Sequence, residues 1–320
     1  MAMNILVVGS VAYDSVITNA GSRQEALGGS ATYFSISCSK FAPVSVVAVV
    51  GEDFDVKHIS MLQSCGVDTS GIRMVPGKTF RWSGKYKNDD MNSRTTLETQ
   101  VNVLADFQPE ITESERTSPI LFLGNIDPEI QIKVLEQMDV RPRLVCADTM
   151  DFWIELKREA LTQVVRSIDL LFIDENELRQ FAAPYITGSN IVKAAEYILS
   201  LGPSVVVVKR GDHGLIQFMN DSIFAAPAYP LGTVVDPTGA GDAFAGGFIG
   251  YLASTGAITE VALRKAAIVG SVMGSFAVGS FSVDNLYGLT DRQISDRFRA
   301  FGDLIEYERL SNDEMLPVRQ

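Results

Sequence analysis

The chain has 320 residues, 46% hydrophobic and 21% charged, which is ordinary for a soluble globular protein and compatible with one large α/β unit. Its formal net charge of -12 argues against nucleic-acid or anionic-membrane partners, because both require a basic surface. No apolar run approaches the length of a membrane span, and the three cysteines show no CxxC spacing, so we expect a reduced, cytoplasmic protein.

The chain opens with a buried-strand pattern. Asn4 to Gly9 is a continuous apolar run ending in glycine, which is typical of a buried parallel strand. No GxGxxG follows it, and no GxxxxGK[ST] occurs anywhere, which excludes the two commonest nucleotide-binding signatures. Asp14 comes just after the strand, where α/β proteins place groups that bind ligands. An ordinary solvated loop aspartate is the alternative for this residue.

A helix and a strand come next, followed by a change of character. Gly28 and Gly29 precede a predicted helix from Ser30 to Phe41, and Val44 to Val50 is a second buried strand. From Gly71 to Leu104, polar residues alternate with aromatic or apolar ones, as in half-exposed antiparallel strands. These strands predict a small sheet that cannot be stable alone.

The second half of the chain alternates strands with helices. Four apolar runs each lead into a turn or an acidic helix start: Leu121 to Glu129, Val145 to Trp153, Leu170 to Phe181 and Val205 to Gly214. Asn125 and Asp148 lie at the ends of the first two strands. This order predicts an α/β fold with a mostly parallel sheet and helices on both faces.

One glycine-rich stretch carries the clearest chemistry. Val234 to Leu252 reads VVDPTGAGDAFAGGFIGYL: an apolar pair, a turn, a small-residue loop and a buried helix. The free N–H groups at the start of such a helix bind anions. A carboxylate beside a bound phosphate is useful when it takes a proton from the attacking hydroxyl, which makes Asp242 a candidate general base.

The run DPTGAGDAFAGGF resembles the C-terminal signature of the ribokinase-like (PfkB) carbohydrate kinases. The resemblance implies one kinase domain over residues 1–320, with a small β lid formed by about residues 12–30 and 72–105. It implies that Gly239, Ala240 and Gly241 form the anion hole and that Asp242 is the base. A glycine-rich helix cap without chemistry is the alternative.

The resemblance also suggests a substrate site. It places Asp14 on substrate hydroxyls, and Gly28 and Gly29 at a helix start whose amides touch the substrate. Tyr33 stands where the family's GGxxxN pattern has asparagine, which weakens any transfer of substrate identity. Asn125 can accept hydrogen bonds from hydroxyls. Two glycines forming only a helix-entry turn remain the structural alternative.

For the nucleotide, the resemblance implies ATP with Mg²⁺, and it allows for a monovalent cation. The segment VVVVKRGDHG resembles the family's nucleotide segment, and the candidate residues are Lys209, Gly211, Gly214 and Thr238. Asp174 and Glu177 match the family's N-x-x-E, with aspartate replacing asparagine, and their oxygens suit Mg²⁺. Acids that only stabilise a helix start are the alternative.

We therefore expect an ATP-dependent phosphotransferase acting on a hydroxyl of a small sugar or cyclitol. A nucleoside kinase on the same fold is the first alternative, and a non-catalytic sugar or nucleotide sensor is the second. The acceptor residues include no cation, which favours an unphosphorylated acceptor. Four lid cations qualify this expectation because one could reach down: Arg81, Lys85, Lys87 and Arg94. A homodimer through the lid is also anticipated from the resemblance.

Overall fold

The structure, a computed structural model, describes residues 2–87 and 90–306. Within them the strands are β1 (Ile5–Val8), β2 (Ala12–Thr18), β3 (Gly21–Gly28), β4 (Val44–Gly51), β5 (Val67–Val75), β6 (Arg81–Tyr86), β7 (Arg94–Gln100), β8 (Ile120–Leu123), β9 (Leu144–Asp148), β10 (Leu170–Asp174), β11 (Val205–Lys209), β12 (Leu215–Met219) and β13 (Ser222–Ala226). The helices are α1 (Ser30–Ser39), α2 (Val56–Ser64), α3 (Pro128–Glu136), α4 (Asp151–Leu156), α5 (Arg158–Ser167), α6 (Glu175–Ala182), α7 (Ile191–Leu201), α8 (Ala240–Thr255), α9 (Glu260–Ala277), α10 (Asp284–Tyr287) and α11 (Asp291–Ile305).

A large sheet forms the centre of the molecule, in the order β13-β12-β11-β10-β9-β8-β1-β4-β5. From β11 to β5 all neighbouring strands are parallel, and β12 is antiparallel to both of its neighbours. The central strands are buried, as their unbroken apolar runs require. The predicted α/β class with a mostly parallel sheet is confirmed.

Helices cover the sheet on both faces. One buried apolar cluster combines residues of α1, α8 and α9 with alternate residues of the strands. A second cluster combines the other strand residues with α3, α5, α6 and α7. Among the helices of residues 2–87 and 90–306, none has both the length and the apolar content required to cross a membrane.

A second, four-stranded sheet has the order β3-β2-β6-β7 and matches the expected small sheet. The expected lid segment from about residue 72 begins too early, because β5 continues to Val75 in the large sheet, parallel to β4. As an edge strand, β5 has the same half-exposed pattern as a strand of a small sheet, so pattern alone could not separate them. The tail from residue 307 lies outside the described residues, so the predicted domain limit at 320 stays a prediction.

Helix α8 lies unusually close to its neighbours because it presents glycines to them. A Cβ at Gly246 would collide with the carbonyl oxygen of Phe34 in α1. A Cβ at Gly250 would lie 3.0 Å from the carbonyl oxygen of Cys38, and one at Gly247 would lie 2.6 Å from Met273 Cγ in α9. These contacts hold α8 against α1 and α9, and so determine where its N-terminus lies.

We expect Gly246→Val to lower the free energy of unfolding by about 1–3 kcal/mol or more, since overpacking forces α1 and α8 apart. The measurement is urea denaturation followed by circular dichroism. Gly302→Ala in exposed α11, where an added Cβ has no atom within 4 Å, is the matched control. This control should stabilise by up to about 1 kcal/mol. Equal effects of the two substitutions would contradict the close-packing account.

Candidate active site

Three neighbouring strands end at one edge of the large sheet with charged residues. Asp148 ends β9, Asp174 ends β10 and Lys209 ends β11. Phe172 of β10 is in register with Asp148, and its ring packs against Phe248 of α8 at 5.3 Å between centroids. Asp148 therefore projects from the sheet face that α8 covers, towards the start of that helix.

The start of α8 has the geometry of an anion-binding turn. Gly239 has φ 73°, a left-handed conformation that favours glycine, and the ring of Tyr33 lies where its Cβ would be. The amide of Ala240 donates to the Pro237 carbonyl at 3.2 Å, so it can reach a phosphate only by sharing its hydrogen. Helix geometry leaves the amide of Gly241 without an intrahelical acceptor. An anion over this turn would meet Gly241 first.

Asp242 lies in the first turn of α8 and is half-buried. Burial, together with the charge of Asp148, raises its pKa to about 7, against the opposing effects of Lys209, Arg94 and its own amide. A carboxylate with a pKa near neutrality is suited to accept a proton from a hydroxyl. The arrangement can therefore support general-base chemistry beside an anion-binding turn.

Lys209 is buried opposite this turn. Its Nζ lies 2.6 Å from Asp148 Oδ2, and a Cβ at Gly241 would be 3.0 Å from Nζ. Burial lowers the pKa of Lys209, but the charges of Asp148 and Glu177 raise it by more than burial lowers it. The net effect is a raised pKa. The structure thus places the predicted nucleotide-binding lysine at the predicted anion hole, as an ammonium.

Asp174 and Glu177 form a capping box at the start of α6. Asp174 Oδ1 accepts from the Glu177 amide, and Glu177 Oε2 accepts from the Asp174 amide, both at 2.8 Å. The pair therefore has the helix-start role that the alternative interpretation predicted. Glu177 is buried, and burial followed by the charge of Asp174 raises its pKa well above the usual range.

Oxygen donors at this edge fit magnesium only in a limited way. Within residues 2–87 and 90–306, no three His, Cys, Asp or Glu residues form a group that could hold a metal ion. Mg²⁺ usually takes one or two carboxylates and completes its shell with phosphate oxygens and water. The capping box uses Glu177 Oε2 and leaves Oε1 available. This oxygen would hold a phosphate-bound Mg²⁺ through a water molecule.

Asp14 lies on the other side of the site, within β2 of the small sheet, in the segment 12–30 that was expected to form the lid; the alternative of a loop aspartate does not apply. Its carboxylate packs against Gly28 and accepts a hydrogen bond from the Gly29 amide. Burial, with added repulsion from Asp236, raises its pKa to about 7. The small sheet thus supplies Asp14, whereas Asp148 comes from the large sheet and Asp242 from α8.

The di-glycine segment supports the site from behind. The amide of Ser30 donates to Ser10 Oγ at 2.9 Å, and the amide of Ala31 donates to the Ser10 carbonyl at 3.0 Å. A Cβ at Gly29, which has φ 95°, would lie 2.5 Å from that carbonyl oxygen. The first amides of α1 are thus already bonded, and the glycines act by holding Asp14. The amides of Ser30 and Ala31 are therefore not free to donate to a substrate, although the prediction for this helix start required free amides.

Tyr33 separates the two halves of the site. It is 1% exposed, and the nearby acids Asp14, Asp236 and Asp242, after burial itself, raise its pKa well above the usual range. The predicted contact residue Asn125 follows β8 and accepts a hydrogen bond from Trp153 Nε1 at 2.9 Å. Its amide nitrogen remains the group with which it can meet a ligand.

The small sheet and the turn before β7 contact the two turns that hold the predicted nucleotide-binding residues Gly211, Gly214 and Thr238. Tyr86 Oη lies 3.2 Å from Thr238 Oγ1, and Asn92 Nδ2 donates to Asp212 Oδ1 at 2.7 Å. The predicted turn glycines have φ values of 57° at Gly211 and 83° at Gly214, and Asn92 packs directly on Gly211. The small sheet therefore bridges the site.

Three residues received no role in the reaction from the sequence, although Asp148 and Arg94 were noted there. The sequence pattern indicates only a turn at Asp236. In the structure its side chain is buried, at 1% exposure, and accepts a hydrogen bond from the Thr238 amide at 2.9 Å. Asp148 was visible only as a polar strand end. Arg94 is in register with Tyr86, so both side chains lie on the same face of the small sheet, and Arg94 influences Asp242. The role of each residue depends on contacts with residues distant in sequence, which a single sequence does not display.

Similar proteins point to one family. The model of the pfkB family carbohydrate kinase matches residues 3–287. A cytidine kinase of Thermococcus kodakarensis is 32% identical over 257 residues, covering 78% of this chain and 88% of that protein. An inositol 3-kinase of Arabidopsis thaliana is 25% identical over 290 residues, covering 86% and 73%.

Solved structures show the same fold. A Burkholderia thailandensis nucleoside kinase in complex with inosine superposes with a TM-score of 0.76 at 19% identity, covering 93% of this chain and 98% of that one. A putative ribokinase II from E. coli in complex with ATP and Mg²⁺ gives a TM-score of 0.75 at 20% identity, covering 93% and 99%. The ribokinase-like fold expected from the glycine-rich run is thereby confirmed.

The raised pKa values of Asp14 and Asp242 predict an acidic limb in the pH profile of kcat/KM near pH 7. A base with a raised pKa is protonated, and therefore inactive, as the pH falls below that value. Phosphorylation assayed from about pH 5 to about pH 9 should show kcat/KM falling below the limb by roughly tenfold per pH unit if only Asp242 must be ionised, and by up to about a hundredfold if Asp14 must be ionised as well. A flat profile down to about pH 5 would contradict the raised values.

Glu177→Gln separates magnesium binding from helix capping. Glutamine can still accept from the Asp174 amide, so the stability should hold, while loss of the charge should raise the Mg²⁺ concentration for half-maximal rate several-fold. The measurement is a Mg²⁺ titration of the rate. Glu177→Ala, which breaks the capping box, should in addition cost about 1 kcal/mol. Unchanged Mg²⁺ dependence in both variants would leave these residues with the capping role alone.

Proposed function

Because the chain belongs to the PfkB family of carbohydrate kinases, whose members transfer a phosphoryl group to hydroxyls, we propose that it transfers the γ-phosphoryl group of ATP to an uncharged polyhydroxylated acceptor. One observation carries the proposal: Asp242, with a pKa of about 7, lies in the first turn of α8 beside the Gly239–Gly241 turn, and Asp14 contributes to the same electrostatic site. The site thus combines a base, an anion-binding turn and an acid for binding hydroxyls.

The residues divide the reaction between them. The acceptor oxygen attacks the γ-phosphorus while its proton passes to Asp242, and the bond from that phosphorus to the β-phosphate oxygen breaks to release ADP. The Gly241 amide and the Lys209 ammonium stabilise the charge on the transferring group. Gly211, Gly214 and Thr238 shape the turns over which the remaining phosphates lie.

Magnesium fits this scheme as a phosphate-bound ion. Glu177 would hold it through water, with Asp174 fixing the orientation of Glu177, and the ion would neutralise charge on the phosphates. A monovalent cation stays a prediction, as does a homodimer formed through the small sheet.

The small sheet acts as a lid in this proposal. Its contacts Tyr86–Thr238 and Asn92–Asp212 connect the acceptor side to the nucleotide side, so closure would exclude water when both substrates are present. Arg94, on the same face as Tyr86, adds positive charge over the base.

The acceptor is proposed to be a nucleoside first and a cyclitol second. This order reverses the one expected from sequence, because the cytidine kinase is 32% identical and the inositol 3-kinase 25%. Asp14 would accept hydrogen bonds from ribose or ring hydroxyls. Tyr33 is 1% exposed and packs on Gly239, so it would support the wall of the pocket without stacking on the acceptor. A free sugar remains within the same chemistry, and a phosphorylated sugar meets the acids Asp14 and Asp236 instead of a cation.

A sensor without catalysis is the competing class of function. It requires no carboxylate beside a bound phosphate, where the charge only weakens binding. Asp242 and its raised pKa therefore favour the enzyme.

The test is a phosphorylation screen with ATP and Mg²⁺ against cytidine, other nucleosides, inositols and free and phosphorylated sugars. Asp242→Asn should lower kcat on the best acceptor by about 10²–10⁴, because the base is lost, while ATP affinity holds or rises. Asp14→Ala should raise the KM of the acceptor with little effect on the KM of ATP. A phosphorylated sugar as best acceptor, or near-normal kcat in Asp242→Asn, would overturn the proposal.

A further inference from the structure

A buried ion pair closes the phosphate side of the site. Lys209 and Asp148 are 20% and 5% exposed in their side chains, and their charged atoms lie 2.6 Å apart. They end β11 and β9, the two strands that flank β10. The pair therefore spans the end of the strand between them, directly in front of α8.

The ammonium is placed for a second partner. A Cβ at Gly241 would be 3.0 Å from Lys209 Nζ, so Nζ lies against the backbone of the anion-binding turn. An ammonium has three donors. Within residues 2–87 and 90–306, the Lys209 ammonium donates one hydrogen bond, to Asp148. Two donors remain for phosphate oxygens over the turn.

Asp148 determines both the charge and the direction of this lysine. Burial alone would favour the neutral amine, and Asp148 is the largest of the effects that raise the pKa of Lys209, followed by Glu177 and Asp242. Without Asp148, the ammonium would have only those two carboxylates as partners. A salt bridge to Asp242 would lower the pKa of the base and occupy its oxygens.

We propose that Asp148 is a positioning residue, which holds the Lys209 ammonium against the Gly241 turn for the phosphoryl group and keeps it away from the Asp242 carboxylate. The inference rests on the proposed kinase function. It adds that Asp148 acts on the transferring phosphoryl group through Lys209, besides its direct effect on the pKa of Asp242, and has no contact of its own with either substrate.

A purely structural ion pair is the competing explanation. A pair that only joins β9 to β11 would lower stability when broken and leave the turnover of the folded protein intact. A positioning pair would lower kcat in folded protein, with the KM of the acceptor nearly unchanged. The second pattern requires that the loss disappear once Lys209 is already absent.

The experiment compares Asp148→Asn, Lys209→Met and the double variant in the full chain, with ATP, Mg²⁺ and the acceptor that the wild-type protein phosphorylates fastest. Lys209→Met should lower kcat about 10²–10³-fold, as for loss of one transition-state contact. Asp148→Asn should lower kcat at least about tenfold, with the acceptor KM within about twofold. The double variant should match Lys209→Met within about threefold, because Asp148 has nothing left to position.

Two further variants keep the test decisive. Asp148→Glu retains the charge and should recover part of the kcat lost in Asp148→Asn, which also serves if the asparagine variant fails to fold. Arg141→Met is the matched control, since it breaks another 2.6 Å ion pair, with Asp169 just before β10 at the opposite edge of the sheet. Its kcat should equal that of the wild-type protein.

The outcomes separate the two levels of the argument. If the wild-type protein phosphorylates no acceptor of the screen, the proposed function fails and this inference fails with it. If the wild-type protein is active but the losses multiply in the double variant, or Asp148→Asn loses stability with normal kcat, only the role of Asp148 is overturned. A full loss of kcat in Asp148→Glu, with the fold intact, would overturn it as well.

Discussion

The close approach of α8 to α1 is the constraint on which the rest of the site depends. Gly246 and Gly250 bring the two helices nearly into backbone contact, which no side chain larger than hydrogen would permit. This contact places the start of α8 at the edge where the central strands end. Tyr33 of α1 then lies on Gly239, so the packing of two helices determines the shape of the anion-binding turn.

A concentration of buried acids follows from that placement. Asp14, Asp236 and Asp242 come from three different segments of the chain; burial raises the pKa of each, and the charges of Asp236 and Asp242 raise the pKa of Asp14 further. Burying carboxylates near one another costs stability, because each resists ionisation of the next. Such a cost is typical of functional sites, where it produces groups that exchange protons near neutral pH. Lys209 offsets part of the repulsion and keeps Asp242 within a useful range.

The small sheet connects the two substrates that the proposed reaction requires. Asp14 comes from β2, while β6 and the turn before β7 reach Thr238 and Asp212 on the opposite side. Most residues of β3 and β7 are exposed, so this sheet has little buried apolar surface of its own. Its position therefore depends on its contacts with the rest of the chain, and in the proposed reaction these contacts would couple lid position to ligand binding.

Local sequence patterns were sufficient to predict the α/β class, the mostly parallel sheet and the glycine-rich turn from Gly239 to Asp242. Each of these depends on local periodicity, on glycine or on a short motif, which a linear sequence displays directly. Polar residues at or just after the ends of successive buried strands, such as Asn125 and Asp148, also indicated the edge of the sheet at which the candidate site lies.

Which of these residues meet becomes visible only in the folded chain. Lys209 and Asp148 are 61 positions apart, and Tyr86 and Thr238 are 152 apart. The same holds for the membership of β5 in the large sheet and for the capping box of Asp174 and Glu177, whose acids a sequence cannot distinguish from metal ligands. The pKa of Asp242 depends on burial and on charges from other strands. Those quantities exist only once the chain has folded and brought distant side chains together in a partly buried site.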